Sequence, residues 1–390
     1  MPLDRRRFIK GVGATGVITL AGCTGDGGDG DGGDGGGGDS DGGGSDGGDG
    51  GGSDGGDGGG SDGGDGGGDG SDTTHVGMVY AAGGLGDGSF NDQAQTGIER
   101  AADEFGVEYR ESQPESPSEF GNFQRQFARE TDPNYDLVCC IGFLQKDPLT
   151  ETAGEYPDQD FMIVDETVDS DNVASYVFAE EEGSFLVGHL AGALTTMDFE
   201  AGAGTTTGDS TNVGFVGGVE SPLIKRFEAG YAAGVKHASE DVDVQTAYVG
   251  GFDDPSGGKE AALSMYQSGA DIVYHAAGNT GTGVFQAAQE SGKFAIGVDR
   301  DQSVTRDSFS DVIVASMVKR VDTAVYNSVE ATVNGNFGGG SVTALGLEQE
   351  GVAAVYGQQL GSEIPQDIKD AIADARQGII DGEITVPEEP

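Results

Sequence analysis

Residues 75–105, HVGMVYAAGGLGDGSFNDQAQTGIERAADEF, carry the pattern that decides the fold. A mostly apolar run over 75–82 is followed by a glycine-rich turn and then by residues 91–105, where apolar side chains recur at helical spacing. A short strand without polar alternation is typical of a parallel sheet that is covered on both faces. The stretch therefore predicts a strand, a tight turn and an amphipathic helix, which is the repeating unit of an α/β fold.

The same unit recurs in two series along the chain. The first series continues with a strand at 137–141, a helix at 148–156 and a strand at 161–164. The second predicts strands at 213–216, 244–249, 272–275 and 294–298, and helices at 224–238, 258–268 and 281–291. Two series of this length predict two α/β lobes, each built on a doubly wound parallel sheet. We assign residues 75–182 and 318–345 to the first lobe, and residues 183–317 and 346–388 to the second.

Several segments are expected to connect the lobes. Residues 182–197 predict a helix near the crossover, and residues 364–380 predict a terminal helix on the second lobe. The strand at 312–317 and the helix at 321–333 could return to the first lobe. Several crossings make a hinge, and open α/β sheets bind ligands beyond the carboxyl ends of their strands. Two lobes that face each other there predict one cleft that closes by hinge motion.

Residues 1–23 predict an export signal. Arg5 and Arg6 precede Phe8 in a twin-arginine pattern, which would carry the folded protein across the membrane. The apolar run at 12–21 falls short of the roughly 20 residues that a membrane-spanning helix needs, so it is typical of a signal core. Cys23 follows small residues in a lipobox and is the expected site of lipid attachment. The alternative is an ordinary cleaved signal with an incidental cysteine.

The net charge of the chain bears on which partners it can bind and on the salt concentration at which it works. Residues 24–72 are almost entirely Gly, Asp and Ser, and they predict a disordered tether. The formal net charge is −48, and about −37 remains after the 14 tether aspartates and the net +3 of residues 1–23 are removed. Nucleic acid and anionic lipid surfaces need a basic footprint, so neither is expected as a partner. Abundant carboxylates suggest a protein that works at high salt.

No cofactor, metal or catalytic motif is predicted. The adjacent Cys139 and Cys140 should point to opposite faces of a strand, and the four histidines show no ligand spacing. The glycine-rich turn lacks the G-x-G-x-x-G spacing, and Asp87 would repel a pyrophosphate there. The folded part has no G-x-S-x-G elbow and no H-E-x-x-H motif. Export, a tether and a hinged cleft together predict an extracellular solute-binding protein, with a hydrolase as the rival enzyme class.

Seven segments, in consistent order over nearly the whole folded part, resemble the basic membrane protein family, also described as purine nucleoside receptor A-like lipoproteins. They are DGSFN (87–91), FMIVD (161–165), EGSFLVG (182–188), VGFVGG (213–218), GGKEAA (257–262), HAAGNTG (275–281) and GVDRDQ (297–302). The resemblance implies a type I periplasmic-binding-protein fold and capture of a nucleoside, above all a purine nucleoside, for an ABC importer. It implies permease and ATPase subunits as partners. We expect a monomer, held to the outer face of the cell membrane through Cys23.

A nucleoside offers a flat base and a ribose with hydroxyls, so its site needs aromatic faces and polar groups. Phe90 is placed to supply one face, and Phe227 or Phe252 the opposite face from the second lobe. Asp299 and Lys319 are the predicted ribose pair, because a carboxylate accepts from hydroxyls and an ammonium donates. The further candidates are Asp165 and Asn91 as readers of the base edge or the ribose, Gly278 and Asn279 as points of close backbone approach, Asp87 as a ligand contact or a support for its loop, and Asp147 as a weaker candidate.

Each candidate also has a purely structural interpretation. The aromatic residues could be core packing, Asp299, Asp165 and Asn91 could cap helices, and Lys319 could be a solvated surface lysine. Two functional alternatives use the same cleft. One is a sensory receptor lipoprotein, and the other is an importer subunit for a sugar or another small metabolite.

Overall fold

Apolar segments become the central strands of two six-stranded sheets. The structure is a computed structural model that describes residues 73–390. The predicted signal, the lipidation site Cys23 and the tether at 24–72 lie outside these residues. The strands are β1 (His75–Val79), β2 (Glu108–Ser112), β3 (Leu137–Cys140), β4 (Asp160–Val164), β5 (Val173–Phe178), β6 (Glu200–Ala201), β7 (Gly204–Thr205), β8 (Asn212–Gly217), β9 (Asp243–Tyr248), β10 (Ala270–Ala276), β11 (Phe294–Asp299), β12 (Ile313–Lys319), β13 (Val342–Leu345) and β14 (Val352–Tyr356).

Helices follow most of the strands, as expected for alternating β and α units. They are α1 (Phe90–Phe105), α2 (Phe120–Arg129), α3 (Lys146–Glu155), α4 (Glu180–Thr195), α5 (Pro222–Ala238), α6 (Pro255–Gln267), α7 (Gly281–Ser291), α8 (Gln302–Thr305), α9 (Val321–Val333) and α10 (Gln366–Ile380). Within residues 73–390, none of the helices combines the length and the apolar character that a bilayer crossing requires.

The two sheets have the same strand order. The first runs β13-β5-β4-β3-β1-β2 and is parallel throughout. The second runs β14-β12-β11-β10-β8-β9 and is parallel except for β14, which pairs with β12 in the antiparallel direction. Five strands of each sheet follow the doubly wound order 2-1-3-4-5. The predicted two-lobed type I fold is confirmed.

The chain passes between the sheets three times: after β5, after β12 and after β13. The alternative that the strand at 312–317 returns to the first lobe was wrong, because β12 stays in the second sheet. Helix α9 does return, and it packs against α1 so closely that a methyl group on Gly97 would overlap the carbonyl oxygen of Asp322. These three crossings form the hinge.

Helix α4, which follows the first crossing, packs against α5 with the two backbones in close approach. A methyl group on Gly188 would overlap the carbonyl oxygen of Tyr231, and one on Gly234 would overlap that of Phe185. Gly230 meets the carbonyl oxygen of Glu181 in the same way. Only glycine allows this spacing of the helices, so the Gly-rich composition of α4 and α5 has a packing reason.

Candidate functional site

A cavity lies between the two sheets, at the carboxyl ends of their strands. The space between its walls, including space open to solvent, is about 750 Å³. Its walls come mainly from the segments after β1 and β3 in the first sheet and after β8 and β10 in the second. In both sheets these strands flank the point where the strand order reverses, which is where open α/β sheets bind ligands.

The structure brings all ten predicted ligand-binding residues together around this cavity. They are Asp87, Phe90, Asn91, Asp165, Phe227, Phe252, Gly278, Asn279, Asp299 and Lys319. The weaker candidate Asp147 was wrong, because it is exposed in the first turn of α3 and is not among the lining residues. The shared location of the ten is observed, and their binding of a ligand stays a prediction.

Two of these residues shape the glycine-rich loop between β1 and α1. The side chain of Asn91 accepts from the backbone N–H of Ala81 at 2.9 Å and donates to the carbonyl oxygen of Gly84 at 2.9 Å. The carboxylate of Asp87 accepts from the backbone N–H groups of Ser89 and Asn91, each at 2.9 Å. Both side chains therefore support the loop as well as lining the cavity, as the structural interpretation of each allowed.

Asp87 is expected to make stability depend on pH. Burial raises the pKa of Asp87 to about 6, against the lowering effect of the backbone N–H groups of Asn91 and Ser89. Between pH about 4 and 6, Asp87 of the folded protein still holds its proton, whereas Asp87 of the unfolded chain has released it. The free energy of unfolding that Asp87 contributes must therefore fall as pH rises through this window, by up to about 3 kcal/mol.

Urea unfolding of the native protein and of Asp87→Asn at several pH values measures this effect. The free energy of unfolding of the native protein, taken relative to that of the variant, should decrease between pH about 4 and 6 and then stay constant. A difference that does not change with pH would contradict the raised pKa.

Lys319 lies at the centre of a buried ionic cluster. Its Nζ is 2.7 Å from Oδ1 of Asp165 and 3.0 Å from Oε1 of Glu180, and its side chain is 2% exposed. Lys319 ends a strand of the second sheet, Asp165 follows β4 of the first, and Glu180 begins α4 after the first crossing. The ammonium group therefore joins both lobes and the hinge. The interpretation of Lys319 as a solvated surface lysine was wrong.

Aromatic rings enclose the same ammonium group. Nζ of Lys319 is 5.2 Å from the ring centroids of Phe90 and Phe178 and 5.4 Å from that of Phe227. A desolvated cation at these distances is attracted to the ring faces. Phe90 and Phe227, which come from different lobes, thus both lie next to one charged group at the cavity wall.

Asp299 and Lys319, the predicted ribose pair, each have other partners in the structure. Within residues 73–390, the ion pairs of Lys319 are with Asp165 and Glu180, while Oδ2 of Asp299 accepts from the hydroxyl of Ser89 at 2.5 Å. The sequence analysis missed Glu180, which is fully buried. Glu180 lies two residues before the predicted helix at 182–197, where a glutamate is typically solvated, so its sequence position gives no sign of this burial.

Burial and neighbouring charges set the protonation of this cluster. Burial raises the pKa of Asp165 to about 7, although Lys319 opposes the shift, and burial also raises the pKa of Asp299. Burial alone would lower the pKa of Lys319, but the adjacent carboxylates, Asp165 first, raise it above its ordinary value. The lysine is therefore charged, and acidic groups outnumber it at the cavity wall.

Asp165 and Asp299 occupy matching positions in the two lobes. Each stands at the carboxyl end of the fourth strand of its series, after β4 and at the end of β11. Both have left-handed backbone angles, with φ of 71° and 63°. This conformation is uncommon for residues other than glycine, although Asp adopts it more readily than most, and such residues tend to cluster at functional sites. It aims the two carboxylates at one cavity.

The second lobe supplies two aromatic walls. Phe227 is almost fully buried beside Lys319, while the ring of Phe252 meets that of Phe143 edge to face, with centroids 6.4 Å apart. The sequence analysis missed Phe143, which follows β3 of the first lobe and lines the cavity. Gly278 has φ of 55°, and a Cβ there would lie 3.1 Å from the carbonyl oxygen of Phe252, so the turn after β10 can approach this wall closely.

Asn279, which follows that glycine, is held by its neighbours. Its side chain donates to Oδ1 of Asp253 at 2.7 Å and accepts from the hydroxyl of Thr282 at 3.1 Å.

Within residues 73–390, no group of three or more His, Cys, Asp or Glu side chains is placed to hold a metal ion.

Comparison with known proteins places the chain in a family. The Bmp family model, described as ABC transporter substrate-binding protein PnrA-like, matches residues 74–390. The ABC transporter nucleoside-binding protein BmpA of Lactococcus lactis is 35% identical over 330 residues, covering 80% of this chain and 88% of the relative. A lipoprotein of Pyrococcus abyssi is 35% identical over 289 residues, covering 71% of this chain and 68% of the relative.

Solved structures agree with this assignment. An ABC transporter solute-binding protein from Aeropyrum pernix has 30% sequence identity and a TM-score of 0.72, covering 81% of this chain and 94% of its own. Solute-binding proteins are not a class of enzyme. The match of the family model, the relatives and the cavity between two type I lobes lead to one conclusion: this chain belongs to the Bmp family of PnrA-like ABC transporter substrate-binding proteins.

Proposed function

We propose that this protein captures a nucleoside, preferentially a purine nucleoside, outside the cell and delivers it to an ABC permease driven by an ATPase. The observation that carries the proposal is the pairing of aromatic walls from both lobes, Phe90 on one side and Phe227 and Phe252 on the other. Such walls suit a flat heterocycle. The nucleoside-binding name of the Lactococcus lactis relative supports the same cargo.

The polar groups of the cavity suit a ribose. Asp299 is buried at the cavity wall and accepts from a hydroxyl of the protein itself, that of Ser89. A ribose hydroxyl can donate to the same carboxylate, and Asp165 offers a second acceptor from the other lobe. Acidic groups outnumber the single buried lysine, so a neutral ligand with many donors fits better than a phosphorylated one.

We further propose that the mature protein is a monomer anchored to the outer face of the cell membrane by lipid on Cys23. The twin-arginine pattern and the lipobox support this arrangement, and the name of the Pyrococcus abyssi lipoprotein is consistent with it.

Binding to purified Cys23→Ser protein at high salt tests the cargo. Thermal unfolding with adenosine, inosine, cytidine, adenine and ribose should show the largest increase in Tm with the purine nucleosides. A ligand at 100 times its Kd adds about 2.7 kcal/mol to the free energy of unfolding when it binds only the native state. Equal stabilisation by ribose alone would favour the sugar alternative, and release of free adenine from adenosine would favour a hydrolase.

A substitution of Phe90 tests the aromatic wall. Phe90→Ala should weaken nucleoside binding by roughly 5- to 150-fold in calorimetry, because stacking of a base on an aromatic ring contributes about 1–3 kcal/mol. Phe123→Ala is the matched control, since Phe123 is half-buried against another part of the core and does not line the cavity. Unchanged affinity in Phe90→Ala would contradict the stacking role.

A further inference from the structure

Hydrogen bonds join the two lobes across the rim of the cavity, and their acceptors are backbone carbonyls of the glycine-rich loop. Nη2 of Arg306 donates to the carbonyl oxygen of Gly86 at 3.0 Å, and the hydroxyl of Thr305 donates to that of Gly88 at 2.9 Å. Nε2 of Gln302 also donates to the carbonyl oxygen of Gly88, at 3.3 Å. The donors belong to α8 and the residue after it in the second lobe. We call these five residues the rim latch.

The loop is shaped to receive the arginine. Gly88 has φ of 60°, and a Cβ on it would lie 2.6 Å from Nε of Arg306. The guanidinium group therefore lies directly against backbone that only glycine can provide. Its Nη2 also donates to Oδ1 of Asn279 at 3.3 Å, which ties the arginine to the turn after β10.

The donors of the rim latch do not contact the cavity. Gln302, Thr305 and Arg306 are absent from its lining, so they do not touch an enclosed ligand directly, and within residues 73–390 Thr305 has no hydrogen bond to a lining residue of its own lobe. Their bonds cross from one lobe to the other, so they are lost when the lobes separate. A ligand enclosed between the lobes must wait for that separation before it leaves.

We propose that Arg306 and Thr305 set the residence time of the ligand by holding the cleft closed, a role that rests on the proposed function only for the identity of the ligand. Opening without ligand is a property of the protein alone. Loss of a charged hydrogen bond that exists only in the closed state should raise the dissociation rate by about 10- to 100-fold. The association rate should change little, since the ligand enters the open state.

Two measurements on Cys23→Ser protein test the proposal. The first uses spin labels on Ser118→Cys and Ser256→Cys, which are exposed positions at the carboxyl sides of β2 and β9 in different lobes. The native cysteines Cys139 and Cys140 are buried and will not react. Without ligand, Arg306→Ala should lengthen the distance between the labels. Arg129→Ala, which removes an exposed arginine of α2, should leave it unchanged.

The second measurement is stopped-flow dissociation of adenosine. Arg306→Ala should release it faster with a nearly unchanged association rate, Thr305→Val should do so to a smaller extent, and Arg306→Lys should restore part of the residence time. If Arg306→Ala does not fold, Thr305→Val carries both tests. If native protein does not bind adenosine, the proposed cargo fails while the label distances still test the rim latch. Unchanged label distances, or an effect confined to the association rate, would overturn the proposal.

Discussion

Lys319→Met is expected to lower the free energy of unfolding by about 3–5 kcal/mol, because removal of one partner leaves buried carboxylates without a cation. Asp165 and Glu180 are 2.7 and 3.0 Å from the ammonium group, and both side chains are buried. Nucleoside binding should be lost as well, since the aromatic walls are arranged around the same ammonium. Urea unfolding at pH 7 and calorimetry with adenosine measure the two effects.

Lys236→Met is the matched control. Lys236 forms an ion pair with Asp243 at 2.7 Å, as short as the contact to Asp165, but both side chains are exposed. An exposed pair contributes about 0–1 kcal/mol, so this variant should unfold almost as the native protein does. A similar decrease in the free energy of unfolding in the two variants would show that burial does not determine how much each ion pair contributes to stability.

The Lys319→Met variant should also respond to pH in a definite direction. Burial already raises the pKa of Asp165, and removal of the lysine takes away the charge that opposes this shift. The folded variant then keeps the Asp165 proton to a higher pH than the native protein does, so its free energy of unfolding continues to fall above pH 7, where that of the native protein no longer falls for this group. The deficit relative to the native protein should be smaller at pH 5 than at pH 8.

Gly234→Val is expected to cost at least about 3 kcal/mol, or to prevent folding, because overpacking of a contact that cannot relax exceeds the usual 1–3 kcal/mol. A Cβ at this position overlaps the carbonyl oxygen of Phe185, which is backbone and has no rotamer to change. Helices α4 and α5 would have to move apart, and with them the first crossing of the hinge. Yield of soluble protein and urea unfolding measure the effect.

Gly154→Val controls for the loss of a helical glycine. Gly154 is exposed in α3, and a Cβ there would meet nothing within 4 Å. Valine has a slightly higher helix propensity than glycine, so the free energy of unfolding should stay within about 1 kcal/mol of the native value. If Gly154→Val were as damaging as Gly234→Val, the close approach of the two helices would not be the cause.

Much of the fold could be predicted because the central strands are buried on both faces and are therefore continuous apolar runs. Strands β3 and β10 are of this kind, and both were predicted. Strand β2, with the sequence EYRES, was missed because it lies at the edge of the first sheet and is half exposed. Its strand state depends on pairing with β1, which is a tertiary contact and leaves no apolar pattern.

The location of the site could be predicted from one topological rule, but that rule does not predict the contacts between the site residues. Residues after the carboxyl ends of strands converge on the cleft, so this position, together with the side chains that a nucleoside needs, predicted Phe90, Asp165 and Asp299. Which of them pair with each other was not predictable. The partner of Lys319 depends on how three chain crossings bring β4, β12 and the start of α4 together, and this spacing is absent from the local sequence.

The matching positions of Asp165 and Asp299 have an electrostatic consequence. Equivalent strand ends in the two halves carry aspartates, and both side chains line the cavity between the halves. The charge of Asp299 disfavours the ionised form of Asp165, but the ammonium of Lys319, which reaches Asp165 from the other lobe, favours that form more strongly. The buried lysine therefore offsets the repulsion that two acidic strand ends would otherwise bring to an empty cavity.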